Sequence, residues 1–230
     1  MILLLAGTSD GRALGMKLAE EGKNILASAA TPYGGQRLPV HYRIEARVGK
    51  LDLGAMVALC RDRGVTKIVD ATHPYAKVAT ETAKAAAAQL GIAYERHERP
   101  PTTADLSQCL FFDTHDQAAA YLATTQGQVF LTVGSNFVAT YVDHLGPDRL
   151  IARVLPTAGV LAKCEQVGLN ASQIIAMQGP FSMDLNQVML LDKQARFMVT
   201  KESSDIGGLR EKIGAAEATG VTVLVIRRPK

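Results

Sequence analysis

Short runs of this sequence concentrate polar and ionisable side chains where a ligand could meet them. Asp70-Ala71-Thr72-His73-Pro74-Tyr75-Ala76 places four such side chains in six positions, which is costly for a purely structural loop. Pro74 suits the first turn of a following helix, with Thr72 or His73 as its cap and Tyr75 pointing into a cleft; a satisfied capping network in which Asp70 fixes the His73 tautomer is the competing reading. Gly7-Thr8-Ser9-Asp10-Gly11-Arg12 is a polar turn between an apolar run and a helix start. Free backbone N–H groups and the helix dipole there favour an anion, and a pyrophosphate would fit. The turn is not a complete Gly-x-Gly-x-x-Gly, so an ordinary strand-to-helix turn is the competing reading.

The second half carries four more such turns. They are Thr132-Val133-Gly134-Ser135-Asn136, Arg153-Val154-Leu155-Pro156, Met177-Gln178-Gly179-Pro180-Phe181-Ser182 and Thr200-Lys201-Glu202-Ser203-Ser204-Asp205. Each alone reads as a turn or cap; their recurrence after consecutive strand-like runs points to ligand-facing loops. Lys201 is expected at a strand's carboxyl end, facing the Asp70 to Ala76 loop across a cleft.

The elements that must position these residues alternate. Apolar or β-branched runs at Ile2 to Ala6, Asn24 to Ala29, Arg43 to Val48, Lys67 to Asp70 and Ile92 to Arg96 are separated by helical patterns. Those helices are expected over Ser9 to Glu21, with Ser9 as N-cap, from Asp52 through Leu53, Met56, Val57 and Cys60, and along the Ala-rich stretch to Leu90. Arg99-Pro100-Pro101-Thr102-Thr103 then breaks the pattern. The alternation resumes at Gln128 to Val133, Leu150 to Leu155, Ile174 to Met177, Phe197 to Thr200 and Val221 to Ile226. The predicted fold is α/β, with two Rossmann-like lobes, mainly parallel sheets and an interlobe cleft. The expected division is residues 1–98 as the nucleotide lobe, 99–106 as linker and 107–230 as a second, substrate-facing lobe. Periodicity specifies neither an oligomeric state nor whether the last strand stays in its own lobe.

In parallel α/β sheets the ligand lies beyond the carboxyl ends of the strands. An NAD binder usually places Asp or Glu after the second strand; Ser28, Ala29, Ala30 and Thr31 stand there instead, with Arg12, Arg37 and Arg43 nearby. That arrangement favours the 2′-phosphate of NADP.

Composition narrows the classes. The 230 residues carry 25 basic and 22 acidic side chains, a net +3, and are 47% hydrophobic, as an ordinary globular protein is. With no Trp and 5% aromatic residues there is no stacking platform for nucleic acid. The Met1 to Ala6 run is too short to cross a membrane and lacks the basic flank of a secretory signal, so neither membrane insertion nor export is expected. Cys60, Cys109 and Cys164 are odd in number and widely spaced, which excludes a disulfide framework and a zinc ribbon. They are expected to be buried thiols of a cytoplasmic protein, and no metal site is expected.

In their order along the chain, Gly7-Thr8-Ser9 with Arg12, the Asp70 to Ala76 run, Gly134-Ser135-Asn136, Arg153-Val154-Leu155-Pro156, Gln178-Gly179-Pro180-Phe181 and Thr200-Lys201-Glu202-Ser203 resemble the precorrin-6A reductase family. Two positions depart from its pattern: Ala6 stands where a second Gly is common, and Ser204 where Gly is usual. The resemblance implies an NADPH-dependent enzyme of cobalamin biosynthesis. One carbon–carbon double bond of a carboxylated corrin precursor receives a hydride and a proton, taking precorrin-6A to precorrin-6B or the cobalt-containing counterpart. It implies cofactor contacts from Gly7, Thr8, Ser9, Arg12, Thr31, Thr72, His73, Pro74 and Tyr75. Substrate contacts would come from Ser135, Asn136, Arg153, Gln178, Lys201, Ser203 and Arg99. Lys201, Tyr75 and His73 are the candidates to donate or relay the proton, and Lys201 could instead clamp a carboxylate. A short-chain-type ketoreductase would need Tyr-x-x-x-Lys, which none of the six tyrosines begins. A non-catalytic NADP-binding module or another NADP-dependent reductase is the alternative reading.

Overall fold

The computed structural model describes residues 1–97, 102–203 and 205–228; Arg99 and Ser204, singled out above, lie outside them. The chain divides into two compact units, Met1–Arg99 and Pro100–Lys230.

In the first unit the strands are β1 (Ile2–Leu5), β2 (Ile25–Ala29), β3 (Ile44–Val48), β4 (Lys67–Asp70) and β5 (Ala93–Arg96). They form one sheet in the order β3-β2-β1-β4-β5, every pair parallel. The helices are α1 (Ser9–Glu20), the single turn α2 (Pro32–Gly35), α3 (Leu53–Asp62) and α4 (Lys77–Leu90). Because both faces of the sheet are covered, β1 and β2 read as continuous apolar runs. Period-two alternation then divides the core. Leu3, Leu5, Leu26 and Ile68 pack with Met56, Val57 and Cys60 of α3 and Ala83, Ala86 and Ala87 of α4. Leu4, Ile25, Ala27 and Val69 pack with Ala19 of α1. Strand order reverses between β1 and β4, bringing the loops after these two strands side by side.

The second unit contains β6 (Leu110–Phe112), α5 (His115–Ala123), β7 (Gln128–Leu131), a 3₁₀ turn (Ser135–Phe137), α6 (Val138–Leu145), β8 (Leu150–Val154) and α7 (Ala158–Gln166). It continues with β9 (Ile174–Ala176), α8 (Met183–Asp192), β10 (Ala195–Lys201), α9 (Leu209–Thr219) and β11 (Thr222–Ile226). The order is β6-β11-β10-β7-β8-β9, again parallel throughout. The closing strand β11 stays in its own unit, between β10 and β6. Here the order reverses between β7 and β10. Ala104, Leu106 and Cys109 pack on this unit's core, and Asp205 accepts hydrogen bonds from the Thr102 and Thr103 hydroxyls and from Thr103 N–H.

The α/β class with two parallel-sheet lobes is as the alternation predicts, while several local expectations are corrected. Thr8, not Ser9, caps α1: its extended backbone lets its hydroxyl accept from Gly11 N–H at 3.0 Å. Neither Thr72, His73 nor Pro74 opens α4, which begins at Lys77 behind Ala76 with no side-chain cap. Pro32–Gly35, after β2, makes the helical turn α2, capped by Thr31. Arg43 sits just before β3, at the amino edge of the sheet, bound to Asn24 Oδ1 at 3.2 Å; it is at the wrong edge to serve a ligand beyond β2. Cys109 is half-buried, unlike Cys60 and Cys164. Strand β6 and helix α5 were not anticipated: β6 is three half-buried residues long and gives almost no periodic signal.

Candidate functional site

In the first unit the candidate residues gather where β1, β4 and β5 end. Gly11 lies deep in the turn after β1, and a Cβ there would meet Ala71 Cβ at 3.0 Å and Ala6 Cα at 3.2 Å. Only glycine lets α1 come this close to the sheet, the role of the last glycine in a dinucleotide fingerprint. The Thr8 hydroxyl is committed to Gly11 N–H and to the Ala71 carbonyl, 3.0 Å each. What this turn offers a ligand is therefore exposed Gly7 and Ser9 and the first N–H groups of α1. Half-buried Arg12 follows on the same helix.

Across the strand reversal Asp70, 0% exposed, anchors the second loop. Its Oδ1 accepts from Thr72 N–H (3.0 Å), Thr72 Oγ1 (2.7 Å) and Arg96 Nη1 (2.6 Å). Its Oδ2 accepts from Thr80 Oγ1 (2.8 Å) and Tyr94 OH (3.1 Å). Burial pushes the carboxyl upward, but the bonds from Thr72 and Thr80 and the Arg96 charge outweigh it and hold it below its usual value. Tyr94 is pushed up by burial and by the adjacent carboxylate. Arg96 also donates to Thr72 Oγ1 (2.9 Å) and to the Thr72 carbonyl (3.1 Å), locking the loop's backbone. Thr8, Asp10, Ala71, Thr72, Pro74, Arg96 and His97 line one small pocket. The His73 and Tyr75 rings lie tilted, 5.3 Å apart, and Tyr75 N–H points to His73 Nδ1 at 3.4 Å.

At the end of β2 the structure places Ala29, Ala30 and Thr31, with no carboxylate, and Thr31 Oγ1 caps α2. Arg37 is exposed and bound to Tyr33 OH at 3.1 Å. Arg47, which sequence reasoning missed, sits opposite Ser28 near the carboxyl end of β3 and donates to the Gly49 carbonyl at 2.5 Å.

In the second unit Lys201 is the last residue of β10, beside the strand reversal. Its Nζ stands 4.4 Å from the centre of the Phe137 ring, on the 3₁₀ turn that follows β7. Burial pushes its pKa down to about 8. Ser135 and Asn136 begin the same turn, and Asn136 Oδ1 accepts from Lys163 Nζ at 2.8 Å. Ser203 Oγ and Thr200 Oγ1 are buried polar atoms with no hydrogen-bond partner among the described residues. Arg153 on β8 is only 6% exposed; its guanidinium lies 4.1 Å from the Phe181 ring centre and donates to Asn186 Oδ1 at 2.7 Å. Burial pushes it down to about 10. Lys212 on α9 donates to the Gly207 carbonyl at 3.2 Å. Burial, then the charge of Arg153, and more weakly that of Lys201, push it down to about 8 against the pull of Glu211. Three cations thus feel or supply one positive field in this unit. Gln178 is exposed after β9.

A family model described as precorrin-6x reductase CbiJ/CobK matches residues 1–230. The chain belongs to that family. It is 36% identical to the cobalt-precorrin-6A reductase of Priestia megaterium, over 100% of this chain and 91% of the relative. It is 34% identical to the enzyme of the same name from Salmonella typhimurium, over 99% and 87%. Identity to the precorrin-6A reductase of Rhodobacter capsulatus is 29%, over 99% and 88%. A solved CobK precorrin-6A reductase superposes with a TM-score of 0.81 at 26% identity, covering 100% of this chain and 88% of that one. As a precorrin-6x reductase the chain is an enzyme of cobalamin biosynthesis with a Rossmann-like α/β fold.

Of the residues named from the sequence, the structure brings Thr8, Thr72 and Pro74 to one pocket. It sets Lys201 beside the turn that carries Ser135 and Asn136. Thr31 stands apart from that pocket on α2, Arg153 is buried behind aromatic rings, and Arg99 falls outside the described residues. Arg96, His97, Phe137, His115 and Lys212 were missed. Arg96 and His97 could have been found, because they end a strand that was located correctly. Among the described residues no group of three or more His, Cys, Asp or Glu could hold a metal ion, and no helix is long and apolar enough to cross a membrane.

Proposed function

We propose that this precorrin-6x reductase uses NADPH to reduce one carbon–carbon double bond of precorrin-6A, or of its cobalt-containing form, in the cytoplasm. The observation that carries the reading is Lys201, a half-buried ammonium at the strand reversal of the second sheet, in a family member matched along its whole length.

The reversal between β1 and β4 is where a doubly wound sheet receives a dinucleotide. Gly11 gives the close helix approach, the first turn of α1 faces a pyrophosphate with its N–H groups, and Arg12 is within the same turn. Ala29 to Thr31 hold no carboxylate that would repel a 2′-phosphate. Thr72, His73, Pro74 and Tyr75, after β4, would contact the nicotinamide half. Bound NADPH supplies the hydride.

The chain's own task is to hold the macrocycle and to deliver a proton. Arg153, Lys201 and Lys212 give the second unit a positive field suited to carboxylates. Lys201 holds the proton at Nζ. With its pKa near 8 it stays protonated at neutral pH yet gives up the proton more readily than an ordinary lysine. His73 and Tyr75 are the alternative relays.

The test is an anaerobic assay of NADPH oxidation with precorrin-6A and with its cobalt form, followed by mass analysis of the product. A gain of two hydrogens with stoichiometric NADPH consumption supports the reading. NADPH binding without oxidation in the presence of either substrate would overturn it.

A further inference from the structure

We propose that Phe137 is the positioning residue of Lys201, its ring fixing where the ammonium stands at the end of β10 and being itself fixed by His115 and Tyr141. The inference rests on the role given to Lys201 above and concerns three residues to which that role assigns nothing.

The geometry is a chain of rings reaching from the core to the ammonium. Tyr141 on α6 is fully buried, and its hydroxyl lies 2.9 Å from His115 Nδ1. The His115 imidazole, at the first position of α5, stacks on Phe137 with ring centres 3.7 Å apart and planes 21° from parallel. Phe137 in turn presents its ring to Lys201 Nζ at 4.4 Å, inside the range where a cation is drawn to an aromatic quadrupole. Lys201 ends β10 and Phe137 follows β7, the two strands flanking the reversal, so this contact ties the two sides of that crevice together.

The stack is not simple core filling. His115 is 7% exposed and its Nε2 is buried with no hydrogen-bond partner, a cost that Leu or Phe in its place would avoid. An imidazole here keeps a flat face for Phe137 and a polar handle for Tyr141. It must also be uncharged, since an imidazolium would repel Lys201 through the ring between them. Burial first, then the Lys201 charge, push it down to about 4 against the opposing pull of Asp116. Asp116 itself faces His144, 3.8 Å away. The stack therefore remains neutral over the range in which Lys201 titrates, and Lys212 is the other group pushed down by the Lys201 charge.

Phe137→Leu keeps an apolar side chain and removes the quadrupole. In protein isotope-labelled at lysine Cε, with the Lys201 resonance identified by its loss in Lys201→Met, Lys201 is expected to titrate about one pH unit lower in Phe137→Leu. The alkaline limb of kcat should move by the same amount while the KM for NADPH is unchanged, and Phe137→Tyr, which keeps the ring, should restore both. If thermal melting shows that Phe137→Leu does not fold, Phe137→Met replaces it. An unchanged Lys201 titration in the folded variant overturns the proposal. A shifted titration with an unmoved pH–rate profile supports the positioning and instead overturns the proton-donor role of Lys201.

Discussion

Replacing Asp70 by Asn changes one charge and almost no volume, and the structure sets what that should cost. The carboxylate is fully buried and accepts from five donors, at 2.6 to 3.1 Å. In Asp70→Asn one oxygen becomes an NH₂ whose protons confront donors, and Arg96 loses its counter-ion. Removing one partner of a buried ion pair costs about 3–5 kcal/mol. The Arg96 side chain is 19% exposed, so water can take up part of its charge and the lower end applies, about 3 kcal/mol. For a chain of this length that is a melting temperature lower by roughly 6–12 °C. The chain has no Trp, so far-ultraviolet circular dichroism in urea and on heating is the suitable assay. Thr80→Val, which removes one hydroxyl donor, should cost about 1 kcal/mol and serves as the reference. The pH dependence has a definite sign. A carboxyl held below its ordinary 3.8 stabilises the fold fully above that value, and the contribution disappears as pH falls through the lower folded value. The gap between wild type and Asp70→Asn should therefore be constant at neutral pH and close only below pH about 4. If Asp70→Asn costs no more than Thr80→Val, Asp70 does not anchor the loop and the reasoning fails.

Arg12→Ala should weaken NADPH binding more than NADH binding in paired titrations; equal weakening would place its guanidinium at the pyrophosphate, and no weakening would remove it from the site. Gly11→Val should raise the NADPH dissociation constant at least tenfold, on the order of the 1–3 kcal/mol that overpacking costs, because its Cβ enters the space of Ala71 and Ala6. Arg153→Met keeps the apolar stem against Phe181 and should raise the KM for the corrin precursor about tenfold with little change in kcat; an unchanged KM would confine Arg153 to packing. Lys201→Met should lower kcat if the lysine donates the proton and raise KM first if it clamps a carboxylate, and wild-type kinetics would exclude both.

Much of the fold could be read from the sequence because parallel strands buried on both faces leave continuous apolar runs, and Ile2–Leu5 and the Val-Leu-Val-Ile part of Thr222–Ile226 are such runs. Helix ends were less legible. Thr8 and Ser9 are both good cap residues, and the choice between them depends on which has an extended backbone, a property set by how tightly Gly11 seats α1 on Ala71. Pro74 looked like a first-turn proline, yet the bond that Thr72 N–H gives to Asp70 and the one that the Thr72 carbonyl accepts from Arg96 hold the preceding backbone, and the helix starts three residues later, at Lys77. The short β6 lies at the sheet edge, pairing only through β11, and its three half-buried residues carry no pattern that distinguishes strand from loop.

Individual site residues were legible in proportion to how local their chemistry is. A glycine turn after an apolar strand advertises an anion site from a handful of adjacent residues, and Lys201 advertises itself as the charge ending a strand. The partners of these residues are set by topology. Phe137 meets Lys201 because β7 and β10 are neighbours, with Leu131 opposite Val199 far along the chain, a pairing that exists only because the chain crosses back over β7 after completing β8 and β9. Arg153 shows the converse. Its type and place suggested a carboxylate contact, whereas the structure buries it beneath Phe181 and beside Asn186, where its charge pushes the Lys212 pKa down. Residue type and strand position therefore nominate charges for the candidate site, while strand order and burial decide what each of them touches.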